Sequence, residues 1–182
     1  MWYVIQTMSG YEQELIKEIY QMVDPGIYER CFLLKREAVW RIQGKCRIHE
    51  EPLFPGYVFV QSEYPAEFYQ EMIKVPGFSK LLGKEESQFY PVSEEEEQFL
   101  RQLLDGDKED TIRLSPVKVN EDKEIIWCGG ALRHFRDKIV KKRIRLRYVL
   151  IQIELFGRER EVLLGIWLEG DLIRRTSFDE LS

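Results

Sequence analysis

The chain has 182 residues, 44% of them apolar and 13% aromatic, which is enough for one domain or two small ones with modest cores. Its net charge of −5 argues against a chain that is basic throughout, and its three cysteines, Cys31, Cys46 and Cys128, are widely spaced with no CxxC pair. That usage supports neither a disulfide framework nor a zinc site and fits a reducing cytoplasm. Met1-Trp2-Tyr3-Val4 leads straight into a strand-like segment. With no basic-then-apolar leader and no long apolar run, neither export nor membrane insertion is expected.

After the strand-like Trp2 to Thr7, Ser9-x-x-Glu12 has the form of a capping box at a helix start. Leu15, Ile16, Ile19, Tyr20 and Val23 recur at helical spacing, and Asp24-Pro25-Gly26 stops the helix. Strands are predicted over residues 30–35, 38–43 and 57–61. A second helix is predicted over 65–75, ended by Pro76-Gly77, then a short strand around Phe78 to Leu82. Ser93-x-x-Glu96 is a second capping box, ahead of a helix whose buried stripe is Phe99, Leu100, Leu103 and Leu104. Residues 1–105 thus read as an α/β sandwich with a mostly antiparallel sheet. Residues 106–115 read as a polar linker. Residues 116–182 read as strands only, with Val149, Ile151, Ile153 and Leu155 alternating inward and a second strong strand over 162–168, the pattern of a small β-barrel. The fold class is α+β.

Pro52-Leu53-Phe54-Pro55-Gly56-Tyr57-Val58-Phe59-Val60 joins a Pro-Gly turn to a strand that puts Tyr57 and Phe59 on one face. Together with Trp2-Tyr3-Val4 and Ser9-Gly10-Tyr11-Glu12, this run resembles the N-terminal domain of NusG-type transcription elongation factors. The tail, above all Leu155-Phe156-Gly157-Arg158, resembles the KOW domain that follows in that family, so the resemblance covers nearly the whole chain. Two positions depart from it. Gly130-Ala131-Leu132 stands where the family usually has Gly-Pro-Leu, and Asp137 falls near a signature glycine, where a left-handed turn would strain it more than glycine. They point toward a specialised paralogue similar to LoaP-type antiterminators. The resemblance implies that Tyr57 and Phe59, with Phe54 and Phe78, receive the clamp helices of RNA polymerase, and that the loop from Gln61 to Ala66 faces the opposing polymerase arm. Taken as single residues, the same aromatics suit a sheet core equally well.

Charge is unevenly distributed. Residues 130–160 hold ten Lys or Arg against Asp137, Glu154 and Glu159, a local +7 in an otherwise acidic chain. Such a block is the footprint of an anionic partner, with a solvated sheet face as the alternative. Lys138, Lys141, Lys142, Arg143, Arg145 and Arg147 are candidate phosphate contacts, and Arg133, His134 and Arg136 are candidates for the groove or loop of an RNA hairpin. Whether the barrel also takes a ribosomal protein stays open.

Catalytic chemistry is sparse. His49 and His134 are the only histidines, Cys46 and His49 lack a third orienting group, and Glu94 to Glu97 suit a helix start better than a metal or acid/base site. No GxxxxGK[ST] or GxGxxG motif occurs. The expectation is a non-enzymatic polymerase-bound factor without cofactor or metal. The alternative is a ribosome-associated KOW module that binds RNA in translation, with a cysteine-dependent hydrolase as the remote third class.

Overall fold

The computed structural model describes residues 1–43, 45–79, 89–171 and 173–175, with Ser79 and 173–175 as backbone only. The elements in chain order are β1 (Trp2–Gln6), α1 (Glu12–Met22), β2 (Arg30–Phe32), β3 (Lys35–Ile42), β4 (Lys45–Pro52), β5 (Tyr57–Gln61), α2 (Pro65–Met72), α3 (Pro76–Ser79) and β6 (Phe89–Pro91). There follow α4 (Glu94–Leu104), β7 (Thr111–Ile112), β8 (Ser115–Val119), β9 (Ile125–Cys128), β10 (Ile139–Arg143), β11 (Tyr148–Leu155), β12 (Arg158–Leu168) and β13 (Ile173–Arg175). The architecture is α+β.

Met1–Leu34 and Pro52–Glu97 form one compact unit. Its sheet runs β2-β5-β1-β6, and the three pairings are antiparallel. The central strands β1 and β5 are nearly continuous apolar runs because both of their faces are buried. On one face Tyr3, Ile5, Val58 and Val60 pack with Leu15 and Ile19 of α1, Phe68 and Met72 of α2, and Phe78 of α3. Each such side chain contributes about 1.5–3 kcal/mol when fully buried.

Helix ends show where local sequence rules hold. Ser93 and Glu96 make the expected reciprocal box, with Glu96 N–H on Ser93 Oγ at 3.2 Å and Ser93 N–H on the Glu96 carboxylate at 2.9 Å. The helix α1 also stops as expected, where Asp24 accepts from the Gly26 N–H at 2.8 Å. Ser9 and Glu12, however, do not form a capping box. The helix starts at Glu12 itself, with Tyr11 at the cap position and no side-chain cap. Three residues further on, the expected third-position carboxylate is instead the first helical residue, and it turns to other donors. The predicted helix over 65–75 ends at Met72, and Phe78, expected in a strand, lies in α3, because Pro76 starts a new turn in which its missing N–H costs nothing. Residues 80–82 of that predicted strand lie outside the described residues, as do 176–182 of the barrel.

Lys35–Glu51 and the chain from Gln98 onward form the second unit. Its five-stranded sheet, order β10-β11-β12-β8-β9, is curled and antiparallel apart from the parallel pair β12 and β8. Alternate burial along β11 follows the predicted pattern. Phe156 (φ 55°) and Gly157 (φ 66°) are the two central residues between β11 and β12, the left-handed pair that a type I′ hairpin needs. A second sheet, order β13-β4-β3-β7, contains the β3–β4 hairpin, which sequence periodicity missed in its second strand. That strand is held by charge: Lys35 pairs with Glu50 at 2.9 Å and Arg36 with Glu51 at 2.8 Å.

The units do not follow the sequence segments 1–105, 106–115 and 116–182, because the hairpin and the residues from 98 join the second unit. The polar stretch read as a linker is tied down. Asp107 accepts from the N–H groups of Glu109 and Thr111 and from Arg113 Nε, and Arg113 also reaches Glu37, Glu50 and Glu109. Burial opposes the Asp107 charge, but these donors outweigh it and hold its carboxyl below the usual range. Asp137 lies in a short 3-10 turn and does not adopt positive φ; Arg147 does, at 60°.

Candidate functional site

The FPGY turn is locked from beneath. Gly56 has φ 84°, and its N–H donates to Glu12 Oε1 at 2.6 Å while its carbonyl accepts from the Thr7 N–H at 2.8 Å. Glu12 Oε2 accepts from the Gly10 N–H at 2.7 Å, so this carboxylate, 4% exposed, joins two segments far apart in sequence. A Cβ on Gly56 would lie 2.8 Å from the Thr7 carbonyl oxygen, which is why glycine stands there.

Above this turn lies an aromatic wall. Phe54, Tyr57 and Phe59 come together, with ring centroids 6.1 Å apart for Phe54–Tyr57 and 6.5 Å for Phe54–Phe59. Trp2 and Phe32, which sequence reading missed, extend it at 6.2 Å and 5.7 Å from Phe59. Two signals were available: Trp2 shares its face with Val4, which pairs with Phe59, and Cys31-Phe32-Leu33-Leu34 is apolar without alternation. Tyr57 is half-buried, whereas Phe54 is buried and Phe59 is 1% exposed. Phe78 does not join them. It is fully buried among the residues of the opposite sheet face, with Val58 and Val60.

In the second unit the basic block divides by role. Arg147 was expected to meet phosphate, but it is held inside the unit. Its Nε and Nη2 donate to the Asp171 carboxylate at 2.7 Å each and its Nη1 to the Ile144 carbonyl at 2.6 Å. These bonds raise the guanidinium's affinity for its proton, and they hold Asp171 below the usual carboxylate range although burial opposes its charge. Arg136 likewise donates to the Ile125 carbonyl at 2.6 Å. Arg133 pairs with Asp105 at 2.7 Å, with the His134 ring 3.5 Å from the same carboxylate.

Lys138, Lys141, Lys142, Arg143 and Arg145 are exposed along β10, an edge strand, and its flanking turns. Lys142 pairs with Glu124. A hollow of about 730 Å³ is lined by Arg41, Lys123, Lys142, Arg143 and Arg145 against Asp122 and Glu124. A second, of about 550 Å³, is lined by Trp40, His49, Tyr148 and Leu163 and shares Arg41 and Leu146 with the first. Arg41 entered no sequence-based candidate set because it lies 89 residues before residue 130, where the basic block begins.

Cys46 and His49 do not form a dyad. They are three residues apart on β4, hence on opposite faces, with Cys46 buried and the His49 ring stacked on Trp40 at 3.9 Å. Burial pushes the Cys31 thiol up to about 12, which leaves it protonated at neutral pH.

Residues 1–101 match the family model described as "NusG: Transcription termination factor nusG". The transcription termination/antitermination protein NusG of Borreliella burgdorferi is 24% identical over 170 residues, spanning 88% of this chain and 92% of that protein. Its counterpart from Neisseria meningitidis serogroup B is 27% identical over 171 residues, with the same two coverages of 88% and 92%. A solved structure described as "Domain interaction in Thermotoga maritima NusG" aligns over 90% of this chain and 92% of that chain, at 24% identity and a TM-score of 0.44.

Proposed function

This chain belongs to the NusG family of transcription termination/antitermination factors, and from that membership we propose that it is a polymerase-bound elongation and antitermination factor. In this reading the aromatic wall receives the tip of the clamp helices of RNA polymerase. Tyr57, the half-exposed member, makes the contact, with Phe54 and Phe59 shaping the wall and Phe78 bracing the sheet from behind. The observation that carries the reading is the Glu12–Gly56 bond, which fixes the turn from which those aromatics project. A prepositioned aromatic loses little freedom on docking, and truncating such an anchor typically costs about 2 kcal/mol or more.

In this reading the first unit, Met1–Leu34 with Pro52–Glu97, binds polymerase, and the second, Lys35–Glu51 with the chain from Gln98 onward, binds RNA. The first unit bridges the polymerase cleft and favours the closed, processive state. The exposed edge of Lys138, Lys141, Lys142, Arg143 and Arg145 holds an RNA hairpin, with Arg133 and His134 beside it in sequence. The protein acts in the cytoplasm as a specialised paralogue, without catalysis or cofactor. The test is capture by core RNA polymerase and titration with its clamp-helix fragment. Tyr57→Ala should lower affinity about thirtyfold while circular dichroism stays unchanged. Wild-type affinity in the folded variant overturns the anchor. Association with ribosomal RNA but not polymerase would favour the translation-side reading.

A further inference from the structure

Trp40 is 53% exposed, yet its indole is not loose, because one face is stacked on His49 with centroids 3.9 Å apart. His49 is itself mostly buried and lies 3.5 Å from Glu51, which in turn pairs with Arg36. An aromatic ring held in place by a stacked neighbour and still half-exposed offers a preformed surface on which a planar group can stack. The hollow it lines adjoins the basic one, Arg41 and Leu146 forming part of both walls. The hairpin that carries Trp40 is fastened there. Arg41 Nη1 donates to the Arg145 carbonyl at 3.4 Å, and Arg36 Nη1 to the Leu163 carbonyl at 3.2 Å.

We propose that Trp40 is a stacking platform for an unpaired nucleobase, and that Arg41, Lys142, Arg143 and Arg145 take the phosphates that flank it. Five cations against Asp122 and Glu124 line the basic hollow, and Glu124 is already paired with Lys142. A cationic groove beside an exposed aromatic face is the combination that binds single-stranded nucleic acid, since the groove follows the backbone and any base has a face to stack. An apolar peptide would meet the ring but strand the arginines. The inference rests on the reading that the basic edge binds RNA. It deepens that reading by naming an unpaired nucleotide, in a hairpin loop, as the group recognised, and by assigning its recognition to the β3–β4 hairpin.

The experiment uses the full chain and three labelled probes: an RNA stem-loop with an unpaired uridine loop, a blunt RNA duplex of the same stem, and the DNA version of the stem-loop. Trp40→Leu should weaken stem-loop binding about tenfold, leaving duplex affinity and the salt slope unchanged, while Trp40→Phe recovers most of the loss. Arg143→Gln with Arg145→Gln should lower affinity and salt slope for every probe. Equal behaviour of the DNA stem-loop supports the platform and makes it indifferent to the 2′-hydroxyl. Undiminished stem-loop binding by folded Trp40→Leu overturns the platform, leaves RNA binding by the basic edge standing, and gives the aromatic hollow to a protein partner. Equal weakening for stem-loop and duplex also overturns it. No salt-dependent binding of any probe by the unmodified protein overturns the underlying RNA reading as well.

Discussion

The Glu12 carboxylate accepts the Gly56 N–H at 2.6 Å across 44 residues of sequence, and it is 4% exposed while doing so. A buried carboxylate is stable only when donors surround it, and here two backbone N–H groups, those of Gly10 and Gly56, do so. Glu12→Ala strands both donors and should cost about 3 kcal/mol, read as a lowered urea midpoint with unchanged slope. Gly56→Ala should cost about 2 kcal/mol or more, because φ 84° strains an L-residue and the new methyl meets the Thr7 carbonyl. A Glu12→Ala midpoint equal to that of the unmodified protein would mean water replaces the carboxylate without loss.

The second unit has its own point of close approach. A Cβ on Gly165 of β12 would lie 2.5 Å from the Glu37 carbonyl of β3 and would collide with the Leu114 side chain. Gly165→Val is therefore expected to push the β3–β4 hairpin off β12 and destabilise the protein by about 2–3 kcal/mol. Amide exchange gives the sharper readout. Protection should fall in β3 and β12 while β1 and β5 keep theirs, and uniform loss across both units would count against a local cause.

The Arg147–Asp171 pair gives stability an acid edge. Its two bonds hold the Asp171 carboxyl below the usual carboxylate range. A depressed folded-state value means the contribution is complete above the unfolded value near about pH 4 and is lost as pH falls through the folded one. Asp171→Asn should lower the melting temperature at pH 7, with the gap to the unmodified protein closing as pH drops below about 4. A gap that stays constant down to the acid transition would show that the pair contributes no linked proton.

What sequence could reveal depended on what holds each element. Apolar periodicity found α1, α4, β5 and β11, because those elements are fixed by buried stripes whose spacing is visible in one dimension. It missed β4, whose Lys45-Cys46-Arg47-Ile48-His49-Glu50-Glu51 carries few apolar residues and is held by Lys35, Arg36 and Arg113 from other segments. It read residues 106–115 as a linker for the same reason, since the partners of Arg113 include Glu37 and Glu50, far upstream. At the candidate site, the shared face of Tyr57 and Phe59 was visible from alternation along the strand, whereas Phe54, before the turn, entered only through the family resemblance. Phe78 was not assignable, because the turn at Pro76 moves it to the other face. The engagement of Arg147 by Asp171 is likewise invisible without the fold, and so is the nearness of Arg41 to Arg145.

The β3–β4 hairpin leaves the ribosome long before the strand it rests on. More than 100 residues separate Glu51 from Leu163, and at roughly 5–20 residues per second that is an interval on the order of ten seconds. For about the first half of it Glu37 has neither Arg113 nor the Leu114 N–H, and throughout it Trp40, Ile42 and Cys46 wait in an unfinished sheet. Meanwhile every strand of the β2-β5-β1-β6 sheet has been synthesised once Pro91 is added. The nascent protein thus completes its first unit around a protruding, unanchored loop, and a translational pause after about residue 100 would lengthen that exposure.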